Sequence, residues 1–227
     1  MYFLIRKKSK NKKSVYGYFL HASLIIIMPM CILFDVSAQE VESFEDDHKN
    51  IAKIKNIEDY MNSIKTLKAR FLQISSEGEF SEGTFYLKRP GKIRVEYDPP
   101  SPILIVGDGF LLHYHDRELG QINDWPIFDT PLGALSDDYI KLNDQLLITS
   151  FKYTPGVIKL RLVQRDDPEI GGITLVFTES PLALRQWEVD DSQGLTTQID
   201  LFDISTNLKL DPRLFIFDDP RKETNIR

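Results

Sequence analysis

The feature that most constrains this chain is a change of period. From Ala69 onward, apolar and polar residues alternate in runs of four to ten residues, and each run ends in turn chemistry. A period of two places successive side chains on opposite faces of a strand. The pattern is plainest between Gly83 and Tyr97. There Lys88-Arg89-Pro90-Gly91 forms a turn, because Pro pre-sets φ and Gly accepts positive φ. After it, Ile93, Val95 and Tyr97 point one way and Lys92, Arg94 and Glu96 the other.

The alternation predicts strands at 69–76, 80–88, 92–97, 103–106, 110–115, 145–154, 157–164, 172–178, 183–190 and 195–204. Their separators include Glu77-Gly78, Asp98-Pro99-Pro100, Gly107-Asp108-Gly109, Pro155-Gly156 and Gly171-Gly172. Short strands joined by tight turns form an antiparallel meander, and no strand–helix–strand alternation points to a parallel sheet. Before the strands, Ile54, Ile57, Met61, Ile64 and Leu67 make one apolar stripe at helical spacing. A second helix is expected from Pro131 to Ile140, N-capped by Thr130, with Leu132, Leu135 and Tyr139 on one side.

A sheet of about ten strands must curl, and two apolar-faced helices must bury their stripes on its concave face. The expected fold is therefore α+β: a curled, incompletely closed antiparallel β-barrel with an N-terminal amphipathic helix and a short helix forming a lid. Inward candidates are Phe71, Phe85, Leu87, Ile93, Val95, Tyr97, Leu104, Val106, Leu112, Tyr114, Trp187, Ile199 and Leu201. Periodicity alone does not separate a packed core from a cavity wall.

Residues 1–38 read as a cleavable secretory signal. Six cations between Arg6 and Lys13 precede an apolar run from Leu24 to Phe34, and Val36-Ser37-Ala38 supplies a small-residue cleavage site. The 11-residue run is shorter than the roughly 20 residues a spanning helix needs. Cys31 lies within it and is the sole cysteine, so a mature chain from Gln39 carries no disulfide. Residues 39–49 are acidic and expected to be disordered, 50–220 form one domain, and 221–227 are a tail. Removing six cations and one anion leaves 22 basic and 33 acidic side chains, a net charge of −11. That balance argues against nucleic acid as a partner and favours a soluble monomer or a partner with basic surface, while an exported chain without disulfides suits a bacterial periplasm.

Candidate chemistry is sparse. His113 and His115 share a strand face and would bind a metal only with a third ligand. The plainer reading is a polar outer face, and the expectation is no metal, no cofactor and no enzyme activity. No Gly-x-Ser-x-Gly elbow, phosphate-cradling loop or His-Glu-x-x-His is present.

Several stretches resemble the LolA family of outer-membrane lipoprotein carriers. They are Leu67-Lys68-Ala69-Arg70-Phe71-Leu72-Gln73, Gly83 to Tyr97 with its Lys-Arg-Pro turn, Asp108-Gly109-Phe110-Leu111-Leu112 with Tyr114, Thr130-Pro131-Leu132-Gly133-Ala134-Leu135, and Leu214-Phe215-Ile216-Phe217 as a closing strand. The resemblance covers roughly residues 50–220. It implies a carrier without covalent chemistry, whose apolar cavity takes the acyl chains of lipoproteins. It casts Arg89 as the residue that latches the lid through backbone carbonyls. The acyl-binding wall would comprise Leu67, Phe71, Phe85, Leu87, Ile93, Val95, Tyr97, Leu104, Val106, Leu112, Leu132, Leu135, Trp187 and Ile199. The implied partners are acylated lipoproteins, an inner-membrane ABC-type lipoprotein-releasing complex (LolCDE-like) and an outer-membrane receptor (LolB-like). Ile93 and Val95 stand where the family often has Phe and Trp, and the C-terminal loop of some members looks reduced. The rival readings are a lipid-binding or envelope-stress sensing module on the same scaffold, and a metal-dependent hydrolase using His113 and His115.

Overall fold

The computed structural model describes residues 48–144, 146–191 and 194–223. The predicted signal segment, its cleavage site and acidic residues 39–47 lie outside the described residues. Helix α1 (His48–Ser63) comes first. His48 and Lys49, assigned from sequence to the acidic stretch, open this helix instead. Among the described residues, no helix is long and apolar enough to cross a membrane.

Eleven antiparallel strands form one sheet. They are β1 (Thr66–Ile74), β2 (Phe80–Lys88), β3 (Lys92–Tyr97), β4 (Ile103–Asp108), β5 (Leu111–Asp116), β6 (Gln121–Pro126), β7 (Leu146–Thr154), β8 (Val157–Gln164), β9 (Gly171–Glu179), β10 (Leu182–Asp191) and β11 (Thr196–Thr206). The order across the sheet is β6-β5-β4-β3-β2-β1-β11-β10-β9-β8-β7. The chain thus meanders from β1 out to one edge, crosses to the other edge, and meanders back until β11 pairs with β1. Edges β6 and β7 do not pair, so the barrel stays open on that side. The segment crossing between them is the mouth segment.

The curl shows in one ring contact. Strands β2 and β10 have two strands between them, a separation of roughly 14 Å in a flat sheet. Yet the rings of Phe85 and Trp187 meet with centroids 5.2 Å apart. Ala69, opposite Phe85 in the β1–β2 register, leaves the space for that reach.

Helix α1 lays its apolar stripe on the concave face. Ile57 is fully buried and Met61 nearly so, and Ile54 packs partly buried beside them. Tyr60 meets Phe177 edge-on, and its hydroxyl accepts a hydrogen bond from the Leu184 amide at 3.1 Å. Ile64 and Leu67 continue the stripe beyond the helix, with Leu67 already in β1.

The mouth segment differs from expectation. Instead of one helix from Pro131 to Ile140, a 3-10 turn (Ile127–Asp129) leads into a single helical turn, α2 (Pro131–Ala134). Thr130 caps it as expected, its side chain accepting from the Gly133 amide at 3.0 Å. The remainder needs no helix, because its backbone bonds go to α1. Asn62 Nδ2 donates to the Ile140 carbonyl and Asn62 Oδ1 accepts from the Ile140 amide, both at 2.8 Å. Glu58 accepts from the Leu142 amide at 2.8 Å. Tyr139, expected on the apolar side, is exposed.

Two of the expected inward residues face the other way. The β3–β4 register sets Val95 opposite Ile105 and Arg94 opposite Val106. Ile105 therefore shares the concave face, while Leu104 and Val106 point outward. They are buried all the same, because a C-terminal 3-10 turn (Pro212–Phe215) packs over the convex face of β3 and β4. Arg94 Nη1 donates to the Leu214 carbonyl at 3.2 Å and Phe215 is buried. The expected closing strand at Leu214–Phe217 is thus a turn and an extended cover, not a strand.

Candidate functional site: a latched mouth over an apolar interior

Arg89 stands in the β2–β3 turn with a cis peptide to Pro90. The turn fits tightly: Gly91 has φ +66°, and a Cβ there would lie 3.0 Å from the backbone of Gly109. Arg89 Nε donates to the Ile64 carbonyl at 2.9 Å, Nη2 to that of Met61 at 3.4 Å, and Nη1 to that of Asp137. The carbonyls at Met61 and Ile64 lie at the end of α1, where acceptors lack intrahelical partners and the helix dipole favours a cation. The backbone reinforces the same tie. The Arg89 amide donates to Lys65 O at 3.0 Å and the Gly91 amide to Ser136 O at 2.8 Å. One turn thereby holds both the end of α1 and the mouth segment.

Burial pushes the guanidinium of Arg89 down to about 10, against the opposing charges of Asp137 and Asp138. It remains a cation at neutral pH, with its donors in a fixed fork. Lysine has no such fork and could not address three carbonyls from one planar group.

Beneath the latch lies the apolar interior. Leu67, Phe71, Phe85, Leu87, Ile93, Val95, Tyr97, Leu112, Leu135 and Trp187 are all buried in one cluster, and Leu132 and Ile199 pack partly buried against it. Phe71 meets Tyr97 edge-on at 5.2 Å. The Tyr97 hydroxyl donates to Gln73 at 2.7 Å, and burial pushes the phenol well above its ordinary value. Ile127, fully buried, seats the mouth segment against Gly107, where a Cβ would come within 2.6 Å of its side chain.

One side of this interior was missing from the candidates read off the sequence. Ile158, Leu160, Leu162, Ile173, Leu175 and Phe177 supply it from β8 and β9. The signal was present in the alternation of Val157–Gln164, where Ile158, Leu160 and Leu162 share a face.

His113 and His115 lie on the convex face with Phe217. His113 stacks on its ring at 4.5 Å and His115 meets it edge-on at 5.9 Å. His113 Nδ1 lies 2.7 Å from Asp124 Oδ1, and Nε2 lies 3.5 Å from Asp108 Oδ2. Arg221 donates to Asp124 at 2.8 Å. This cluster fastens the C-terminal cover. Among the described residues, no group of three or more potential ligands is placed to hold a metal ion.

These features define a class: an open antiparallel barrel around an apolar interior, with a mouth segment bonded to α1 and to the β2–β3 turn. The family model described as outer membrane lipoprotein carrier protein LolA matches residues 62–218. The chain belongs to the LolA family. It is 29% identical to the outer-membrane lipoprotein carrier protein of Pseudomonas paraeruginosa over 183 residues, covering 74% of this chain and 85% of that one. With the protein of the same description from Dechloromonas aromatica, identity is 32% over 177 residues, covering 74% and 84%. Among solved structures, a LolA superfamily protein from Nitrosomonas europaea aligns with a TM-score of 0.41 at 11% identity, covering 72% of this chain and 97% of that one.

Proposed function

We propose that this protein is a periplasmic carrier that binds the acyl chains of lipoproteins released from the inner membrane and delivers them to the outer membrane. The observation that carries this reading is the Arg89 turn, which ties α1 and the mouth segment together over the apolar interior of a LolA-family chain. Each acyl CH₂ taken out of water is worth about 0.8 kcal/mol, so an apolar interior holds an acyl chain without covalent chemistry. In the latched state side chains of the wall meet within the interior, Phe85 on Trp187 and Phe71 on Tyr97. Entry of cargo therefore requires the mouth segment to lift, which breaks the Arg89 bonds. Their loss offsets part of the gain on binding and keeps the cargo releasable.

The wall that receives the chains would be the inward set named above without Leu104 and Val106. A cleavable signal in residues 1–38 would bring the protein to the periplasm. There an inner-membrane ABC-type complex would supply the cargo and an outer-membrane receptor would accept it.

The test is release and retention. Purified protein is added to spheroplasts, and the medium is assayed for triacylated lipoprotein bound to it. The expected result is a soluble one-to-one complex. Absence of released lipoprotein, together with none co-purifying from the periplasm, would sink the reading.

A further inference from the structure

Among the described residues, four polar side chains other than tyrosine are buried: Gln73, His113, Thr130 and Ser136. Thr130 and Ser136 bond to the backbone of the mouth segment, and His113 lies under the C-terminal cover. Gln73 is left. It follows Phe71 on the concave face of β1. Its register partners across the sheet run Ile199, Trp187, Leu175, Leu160 and Phe151. All five are apolar and lie in the core or pack against it. One amide side chain thus heads an otherwise apolar row.

Its partner is Tyr97. The phenol reaches from β3 across β2 and donates to Gln73 Oε1 at 2.7 Å. Gly83, opposite both Phe71 and Tyr97 in register, leaves the space in which those two rings meet; a Cβ there would lie 2.7 Å from the Phe71 ring. Packing does not call for this pair. Phe at position 97 would keep the edge-on contact with Phe71, and an apolar residue at 73 would complete the row. Exchanging both partners of a buried hydrogen bond for apolar groups of the same shape is close to neutral. Ligand sites, in contrast, use a few polar groups set into an apolar wall to fix orientation.

The ligand chemistry follows from what an acyl chain carries. Its hydrocarbon needs no hydrogen bond, but the ester or amide carbonyl at its head needs a donor once it leaves water. A tyrosine hydroxyl and a primary amide carry three donor hydrogens between them. Burial pushes the Tyr97 phenol up, so it keeps its proton. The pair also stands near the rim of the interior. The Tyr114 phenol lies close to that of Tyr97, and Tyr114 and Ile199 are only partly buried. Resting on the carrier reading, we infer that Gln73 and Tyr97 form a carbonyl site. They donate hydrogen bonds to the ester or amide carbonyl of an acyl chain, whose tail lies along the row from Ile199 to Phe151.

A pair of lipids differing only at the carbonyl tests this. The probes are didecanoylglycerol, an ester, and didecylglycerol, its ether analogue without carbonyls. Each is equilibrated by dialysis with the wild-type protein, with Tyr97→Phe and with Gln73→Met, and the bound lipid is counted by mass spectrometry. The quantity read is the ratio of ester affinity to ether affinity, which a loss of packing alone would leave unchanged. The expected result is a fall in that ratio of about fivefold in each variant. Tyr97→Phe keeps the ring and carries the test if Gln73→Met does not fold. A ratio that is the same in the wild type and the variants overturns the carbonyl site and leaves the carrier reading standing. Binding of neither lipid to the wild type overturns both.

Discussion

Phe85 of β2 and Trp187 of β10 touch edge-on at 5.2 Å across a sheet in which two strands separate them. Their contact fixes how far the sheet curls. Replacing Phe85 by Ala removes the largest part of it and leaves a void that Ala69 cannot fill. The expected loss is about 3–5 kcal/mol in a denaturant titration. A loss below about 1 kcal/mol would mean that the curl does not depend on this pair.

Arg89→Leu deletes the donors to Met61, Ile64 and Asp137 while keeping an apolar stem of similar reach. Hydrogen bonds to a charged group contribute roughly 1.5–3 kcal/mol each, and leucine adds no buried charge. Amide exchange at Ile140 and Leu142, both bonded to α1, should accelerate by at least tenfold, with β9 and β10 unchanged. Equal acceleration across the whole sheet would show that Arg89 holds the fold and is no local latch.

Gly91→Ala tests the turn that presents the arginine. An alanine at φ +66° costs roughly 1 kcal/mol or more, and its Cβ would press on the Gly109 backbone at 3.0 Å. Thermal unfolding should shift down, and the amide exchange of the mouth segment should resemble that of Arg89→Leu. An unshifted melting temperature with normal exchange would contradict this.

Acid should loosen the C-terminal cover first. Burial pushes the carboxyls of Asp108 and Asp124 up, but hydrogen bonds outweigh it: the Leu111 and Phe110 amides and His113 for Asp108, and His113 and Arg221 for Asp124. Both therefore end below the usual carboxylate value. A group with a lowered folded pKa contributes stability that is present above its unfolded pKa, about 4, and lost as pH falls through the folded value. Proteolysis of the segment after Asp211 should rise as pH falls below about 4, and Asp124→Asn should flatten that dependence. Identical acid profiles for the two proteins would refute the assignment.

The strands differ in how much of their placement the sequence carries. Strands β2 and β3 came out as Phe80–Lys88 and Lys92–Tyr97, the same bounds as the alternation predicted, because in each apolar buried residues alternate with polar, less buried ones. Strand β4 did not orient correctly. In ILIVGD both faces are covered, so the apolar run is continuous and carries no phase; only the C-terminal turn, distant in sequence, explains why Leu104 and Val106 are buried outward. Strand β6 was missed altogether. QINDWP is polar, ends in Pro and lies largely exposed at an edge, so its pairing with β5 leaves little trace in composition. A latching role for Arg89 was an expectation from family resemblance; its carbonyl partners at the end of α1 emerge only once the helix and the turn are brought together in space.

The pairing of β1 with β11 has a consequence for biogenesis. Every other ladder in the sheet joins strands that follow one another along the chain, so each can zip as soon as its hairpin exists. β1 alone must wait for the last strand to be made. A chain crossing a membrane N-terminus first would therefore display the unpaired flank of β1, with Phe71 beside it, until synthesis is almost complete. Pulse-labelled exchange during refolding should find the β1–β11 amides protected last. Protection of that ladder ahead of the β7–β8 hairpin would rule the order out. For such a chain, the most vulnerable stage of its life precedes any encounter with cargo, and the seam between its first and last strands is where a folding helper would have to stand guard.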